Sequence, residues 1–416
     1  MEGGELYGSH STIYMAGSWG AALTEASTMA RFMNDIESES YIMEAGIQKK
    51  IIDLEFWDNS SRYFSYGKNR DGSFRKEQTI LPTVPIYFRM ADPQKASVAL
   101  KNIAGNAFTT NWGARILRED SPWFRPTGYH YGSVWPLFTG WASLAEYSTG
   151  CAVQGFSHLM NNLNVYQNWG LGFVEEVLNG AEYKPSGVCA HQCWSETMVL
   201  QPSIEGMLGL EISAQEHKIH LAPQLPPQWD SIDIRHIRMA DQTVDFHYSR
   251  VDGVYQYQFY LDQGGPVRME FMPSFPAGTR FTSVLLDGKA APATTFKTGQ
   301  SMILMLSFDL VSGSKLVVET ESGISVLPVA CNPKPGDPAE GMRILSCNFS
   351  GNRYQVELEG MSGSSGILEI WSGDAGLRQA ENAMFLNQSG RICRFSVDFE
   401  KSEMKYITKT ITLNTR

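Results

Sequence analysis

The chain has 416 residues, 43% hydrophobic and 19% charged, with a formal net charge of −10. That length calls for two or three domains rather than one. An acidic balance without any Lys/Arg block argues against nucleic acid or an anionic membrane as partner, because nothing is present to neutralise phosphates.

Read in chain order, the first half is helical. Ile13, Met15, Trp19, Leu23, Met29, Phe32 and Met33 recur near one stripe over 11–35, with Ser9 or Ser11 as the expected N-cap. A second helix is expected over 38–57, carrying Tyr41, Ile42, Ala45, Ile47, Ile51, Ile52, Leu54 and Phe56. Five more fit 78–91, 94–104, 132–148, 155–167 and 194–210. Between them lie loops at 58–77, 107–131 and 168–193 that are rich in Gly, Pro, Asn and aromatics. Paired helices joined by long loops predict an α/α toroid over 1–211, with the site on one rim.

After about residue 211 the pattern turns to short alternating runs. Strands are expected at 231–238, 243–250, 254–262, 267–271, 283–286 and 315–319, with Asp252-Gly253 and Asp287-Gly288 as hairpin turns. They predict a β-sandwich over 212–327. The proline-rich PVACNPKPGDP predicts a linker over 328–339. Strands at 343–348, 354–359, 366–371 and 392–399 then predict a small accessory β-module over 340–416.

No apolar run reaches the roughly 18 residues of a membrane span. Met1 is followed by Glu-Gly-Gly-Glu rather than by the basic and apolar regions of a secretory leader, so no compartment is assigned. Six cysteines (151, 189, 193, 331, 347, 393) show no metal-type pairing. Cys189 and Cys193 flank His191, yet no second pair of ligands completes a zinc site. Neither a metal nor a cofactor is expected. Aromatics make up 12% of the chain. Most such rings fill cores, but sugar clefts also use them, because ring faces match the C–H faces of pyranoses.

Three loop segments concentrate polar, ionisable and aromatic groups just before helices, where a rigid scaffold can aim them at a ligand. The first holds Trp112-Gly-Ala-Arg115 and Tyr129-His130-Tyr131-Gly132-Ser133-Val134-Trp135-Pro136. The second is Gly172-Phe-Val-Glu175-Glu176-Val-Leu-Asn-Gly180, and the third is His191-Gln192-Cys193-Trp194-Ser195-Glu196.

These segments resemble, in the same order, the C-terminal half of the (α/α)6-barrel glycoside hydrolases. The nearest likeness is to the amylo-α-1,6-glucosidase (glycogen-debranching) family, with α-L-rhamnosidases sharing the arrangement more loosely. The YHxGSVWP run is the specific part; Glu175 and Ala190 stand where that family's pattern has proline. The resemblance covers about 5–325 and implies a partial (α/α)6 toroid followed by a β-sandwich. It also implies an inverting glycosidase on an oligosaccharide or glycan, in which one carboxylate activates water and a second group protonates the leaving oxygen.

By the same resemblance Glu176 is the general base, with Glu175 its local rival. His130, Trp135, Arg115, Tyr129, Trp112, Gln192 and Trp194 fall near the sugar. Glu5 is the one candidate for the general acid. A full toroid needs twelve helices and seven are expected here, so the missing N-terminal half of the barrel is an expected partner. The alternative is a catalytically incomplete carbohydrate-binding fragment. A more distant one is a toroid lyase or epimerase pairing His130 with His191.

Overall fold

A computed structural model describes residues 8–329, 331–373 and 377–415. The chain divides into two compact units. The first comprises residues up to Pro202 together with Ala330–Leu345, and the second comprises Ser203–Val329 together with Ser346–Arg416.

Seven α-helices are described in the first unit: α1 (Ile13–Phe32), α2 (Ser38–Glu55), α3 (Thr83–Tyr87), α4 (Pro93–Ile103), α5 (Pro136–Ser148), α6 (Ala152–Val165) and α7 (Cys193–Gln201). Chain neighbours pack as hairpins, α1 on α2 and α5 on α6, while α3 and α7 both lie against α5. The N-cap of α1 is Thr12, whose hydroxyl accepts from Met15 N at 3.4 Å, and not Ser9 or Ser11. Asp92 caps α4 through the N–H groups of Gln94 and Lys95, with proline at its first turn.

Of the stripe expected to bury α1, Ile13 and Leu23 are buried and the rest is not. The buried residues of the helix are Ile13, Gly17, Gly20, Leu23, Ser27 and Ala30. Met15, Trp19, Met29, Phe32 and Met33 are more than half exposed. The small residues explain this, because a Cβ on Gly17 would sit 2.7 Å from Pro85 Cβ and one on Gly20 2.9 Å from Met90 Sδ. Close approach to the α3 segment therefore selects the glycine face. On α2 likewise, Ala45 and Ile52 are buried, while Ile42, Ile47, Ile51 and Leu54 face outward.

Two expected helices begin late because their first residues are taken up in a ladder of loops. Thr79 bridges Leu117, and Ile80 N donates to Ile116 O at 3.0 Å, so 78–91 is helical only at α3. Val134 bridges both Arg115 and Leu178, and α5 starts at Pro136. The last expected helix closes early. Its α-helical part ends at Gln201 and widens into a π turn at Pro202–Met207, because proline cannot supply the next N–H.

One apolar cluster of this unit gathers Ile13, Phe56, Tyr63, Phe64, Ile86, Leu100, Phe108 and Trp135. A second gathers Trp112, Val134, Val165, Leu178, Tyr183 and Ala339. The proline-rich stretch expected as a linker contributes to this second cluster. Asp337 O accepts from Tyr183 N (2.9 Å), Gly336 N donates back to Tyr183 O (3.0 Å), and Gly341 N donates to Asn106 Oδ1 (3.1 Å).

The second unit is all β. One six-stranded sheet runs in the order Lys289–Ala290, Arg280–Leu286, Gly313–Glu321, Val254–Leu261, Gln242–Val251, Ser231–Met239. Another runs Ser274–Pro276, Ser301–Leu310, Val267–Phe271, Lys218–Leu221, Leu210–Ser213, with Thr294–Lys297 also on Ser301–Leu310. Their common core holds Phe246, Tyr257, Phe259, Phe271 and Leu304, with Tyr257 and Phe259 both edge to face with Phe271, at 4.9 and 5.1 Å. Both expected hairpin turns have two left-handed residues, Asp252 (φ 49°) with Gly253 (82°) and Asp287 (50°) with Gly288 (76°), the geometry that matches strand twist. Two four-stranded sheets complete the unit. Ile324–Val326 belongs to one of them, pairing with Ser365–Ser372.

Candidate active site

Five short stretches are stitched together in the helical unit. Thr109–Thr110 pairs with Gly113–Ala114, Arg115 with Val134, Val134 with Leu178, and Leu178 with Pro185. Val134 and Leu178 exchange both backbone hydrogen bonds at 2.9 Å. This ladder fixes the register of the segment that bears Glu176, and from its other side Glu176 N donates to Cys189 O at 2.9 Å. Gln192 N donates to Val174 O at 3.2 Å, so the loop entering α7 runs along the same segment.

Glu176 is 6% exposed. Its Oε1 accepts a hydrogen bond of 2.5 Å from the Tyr129 hydroxyl, while Oε2 takes none among the described residues. Tyr129 is itself held by the motif that carries it. Trp135 Nε1 donates to Tyr129 O at 2.8 Å, and the two rings meet at 4.5 Å. The His130 ring stacks on Trp135 at 5.5 Å with a 12° tilt. The YHxGSVWP run and the Glu176 segment therefore meet where Tyr129 holds one carboxylate, with His130 and Trp135 packed against the Tyr129 ring.

Glu175 points elsewhere, as expected for neighbours in an extended segment. Its carboxylate is buried and meets no hydrogen-bond partner among the described residues. It lies close enough to Tyr183 to help hold that phenol up, at about 12, where burial is the leading cause. Desolvation raises the Glu175 carboxyl above its ordinary value, partly opposed by the nearby amides of Glu175 itself and Gly170. The folded chain thus holds this proton more tightly than the unfolded chain does. Stability from this group is present below the unfolded carboxylate range and lost as pH rises through the raised value. Glu175→Gln is expected to raise stability at pH 7.5 by about 1–3 kcal/mol and to change it little near pH 4, in thermal melts of the two proteins. A variant less stable than wild type at pH 7.5 would overturn this account.

The remaining expected residues divide. Arg115 is 1% exposed and committed to the protein. Its Nε donates to Gly180 O (2.6 Å), Nη1 donates to Asn106 O (2.5 Å), and Nη2 pairs with Glu119 at 3.3 Å. Trp112 is fully buried, donating from Nε1 to Asn179 O at 2.9 Å. Both side chains hold the far end of the Glu176 segment. Gln192 precedes α7 and Trp194 lies in its first turn, 42% exposed. His191 sits 3.1 Å from Glu196, and its ring lies 4.2 Å from that of Phe173 at a 33° tilt. Glu5 lies outside the described residues.

Asn179 and Gly180 were part of the second loop segment, but sequence reasoning gave them no role. Asn179 Oδ1 accepts from Ala181 N and Glu182 N, and a Cβ on Gly180 would run into Gly132 O. The Asn-Gly pair after the two glutamates was the available signal.

No curated protein matches the chain significantly. Among solved structures, the chain is similar to a GH63 mannosylglycerate hydrolase from Thermus thermophilus (15% identity, 46% of this chain and 44% of that one, TM-score 0.38). It is also similar to a neutral trehalase from Saccharomyces cerevisiae (15%, 46% and 37%, 0.38) and an α-L-rhamnosidase from Dictyoglumus thermophilum (11%, 73% and 31%, 0.45). The chain spans less than half the length of these proteins. Over residues 12–175 it matches the family model described as the mannosylglycerate hydrolase MGH1-like glycoside hydrolase domain, a match that takes in Tyr129, His130 and Trp135 and ends one residue before Glu176.

Proposed function

We propose that this chain carries the water-activating side of an inverting glycosidase that acts on an oligosaccharide, with Glu176 as general base. The observation that carries the reading is the Glu176 carboxylate, fixed through Oε1 by the Tyr129 hydroxyl, whose ring is itself packed by His130 and Trp135. Oε2 accepts a proton from water as its oxygen bonds to the anomeric carbon. The glycosidic C–O bond breaks on the opposite face, and its oxygen takes a proton from a general acid. His130, Gln192 and Trp194 are the side chains offered to the sugar. Arg115 and Trp112 act one step back, by holding Gly180 and Asn179. The motif likeness to amylo-α-1,6-glucosidases supports an α-linked substrate.

A second feature concerns completion. Met15, Trp19, Met29, Phe32, Ile36, Met43, Ile47 and Leu54 leave a broad apolar face on α1, α2 and the turn between them, more than isolated surface residues account for. Further helical hairpins of the same ring are the proposed cover, and the acid comes with them or from Glu5. The test compares this chain alone with the same chain supplied with such hairpins, following the first-formed anomer by proton NMR. Hydrolysis with inversion only in the completed protein is the expected result. Retention of configuration overturns the mechanism, and sugar binding without turnover in both overturns the enzyme reading.

A further inference from the structure

The β unit contains a groove that has no part in the Glu176 site. Two adjoining hollows of about 520 and 370 Å³ share Asp252, Gly253, Trp371 and Arg391 as lining residues. Trp371, near the end of Ser365–Ser372, is 4% exposed. The guanidinium of Arg250 lies over its ring at 4.9 Å and that of Arg391 at 5.6 Å. The indole is thus a fixed part of the wall rather than a free stacking platform.

The charged groups of the groove differ in how far they are committed. Arg250 is tied to Asp230 Oδ1 through Nη2 (2.6 Å) and to Pro227 O (2.7 Å), and Arg280 pairs with Glu321. Arg391 donates only a long bond to Gly373 O at 3.3 Å and meets no carboxylate at ion-pair distance among the described residues. Asp252, lifted to the rim by its left-handed turn, likewise has no cationic partner there among the described residues. Three acids and three arginines line the two hollows, so the groove carries no net charge. An anion would be attracted to Arg391 and repelled by Asp252, and a cation the reverse.

A hydroxyl suits both, because it accepts and donates. Val251, 70% exposed, and Ile392 add apolar surface beside these groups, which suits the C–H face of a sugar ring. We propose that this groove binds a neutral oligosaccharide, with Arg391 donating to, and Asp252 accepting from, neighbouring ring hydroxyls.

The proposal does not depend on turnover at Glu176, and the two are read separately. The full chain is titrated by calorimetry with maltotriose, cellotriose, mannotriose and xylotriose, with trigalacturonate as the anionic probe. Asp252→Asn keeps a residue that tolerates the left-handed turn, and Arg391→Gln removes the guanidinium. The expected result is saturable binding of at least one neutral trisaccharide, weakened roughly tenfold or more in each variant, with glycoside hydrolysis by the completed protein unchanged. Binding of trigalacturonate alone, equal binding in wild type and both variants, or no binding of any neutral probe overturns it.

Discussion

Under the proposed mechanism, replacing Glu176 by glutamine in the protein supplied with the further hairpins is expected to lower kcat by about 10²–10⁴-fold, the range that a positioned general base contributes. The change is nearly isosteric. The amide oxygen still accepts from the Tyr129 hydroxyl, so the 2.5 Å contact and the Tyr129–Trp135 frame survive. What is lost is the ability to take a proton from water as it attacks. Because that demand arises in the transition state, KM and sugar affinity should stay close to wild type. Glu175→Gln is the paired control, since that carboxylate is buried too and the Tyr129 hydroxyl donates to Glu176. Equal turnover in Glu176→Gln and wild type would remove Glu176 from the mechanism. Loss confined to Glu175→Gln would move the role by one residue.

Arg115→Met is expected to destabilise the helical unit by about 3–5 kcal/mol, the usual cost of removing one partner of a buried pair. Methionine fills the stem but leaves the Gly180 and Asn106 carbonyls without their donors and Glu119 without its cation. It also removes the guanidinium lying 5.8 Å from the centre of the Phe124 ring. Urea unfolding measures the loss, and limited proteolysis across 176–190 reports whether the Glu176 segment loosens with it. If Arg115→Met unfolds like wild type yet binds sugar more weakly, Arg115 contacts the sugar and does not position the loop.

Much of the architecture was legible because patterning is local. The alternating runs at 254–261 and 267–271 and the two Asp-Gly turns translate directly into strands and hairpins. Ser301–Leu310 was not legible, since Ser-Met-Ile-Leu-Met-Leu lacks an opening alternation. The face of α1 misled for a different reason. Periodicity marks an apolar stripe, but which stripe is buried depends on how closely a neighbour comes, and Gly17 and Gly20 against Pro85 and Met90 decide that. The site divides in the same way. Tyr129, His130, Trp135 and Glu176 are recognisable as residue types in a motif. The burial of Arg115 is not, because it follows from carbonyls at Asn106 and Gly180, which no side-chain identity announces.

Residues 331–345 set an order of events in biosynthesis. Tyr183 and Asn106 receive backbone partners from Gly336, Asp337 and Gly341, which are translated after the whole of Ser203–Val329. At about 5–20 residues per second, those 127 intervening residues occupy the ribosome for roughly 6–25 s. Through that interval the helices wait with the floor of the Glu176 loop unfinished while β-strands emerge behind them. Nascent chains stalled just before residue 330 should therefore show a protease-sensitive 176–190 loop that becomes protected once residue 345 clears the exit tunnel.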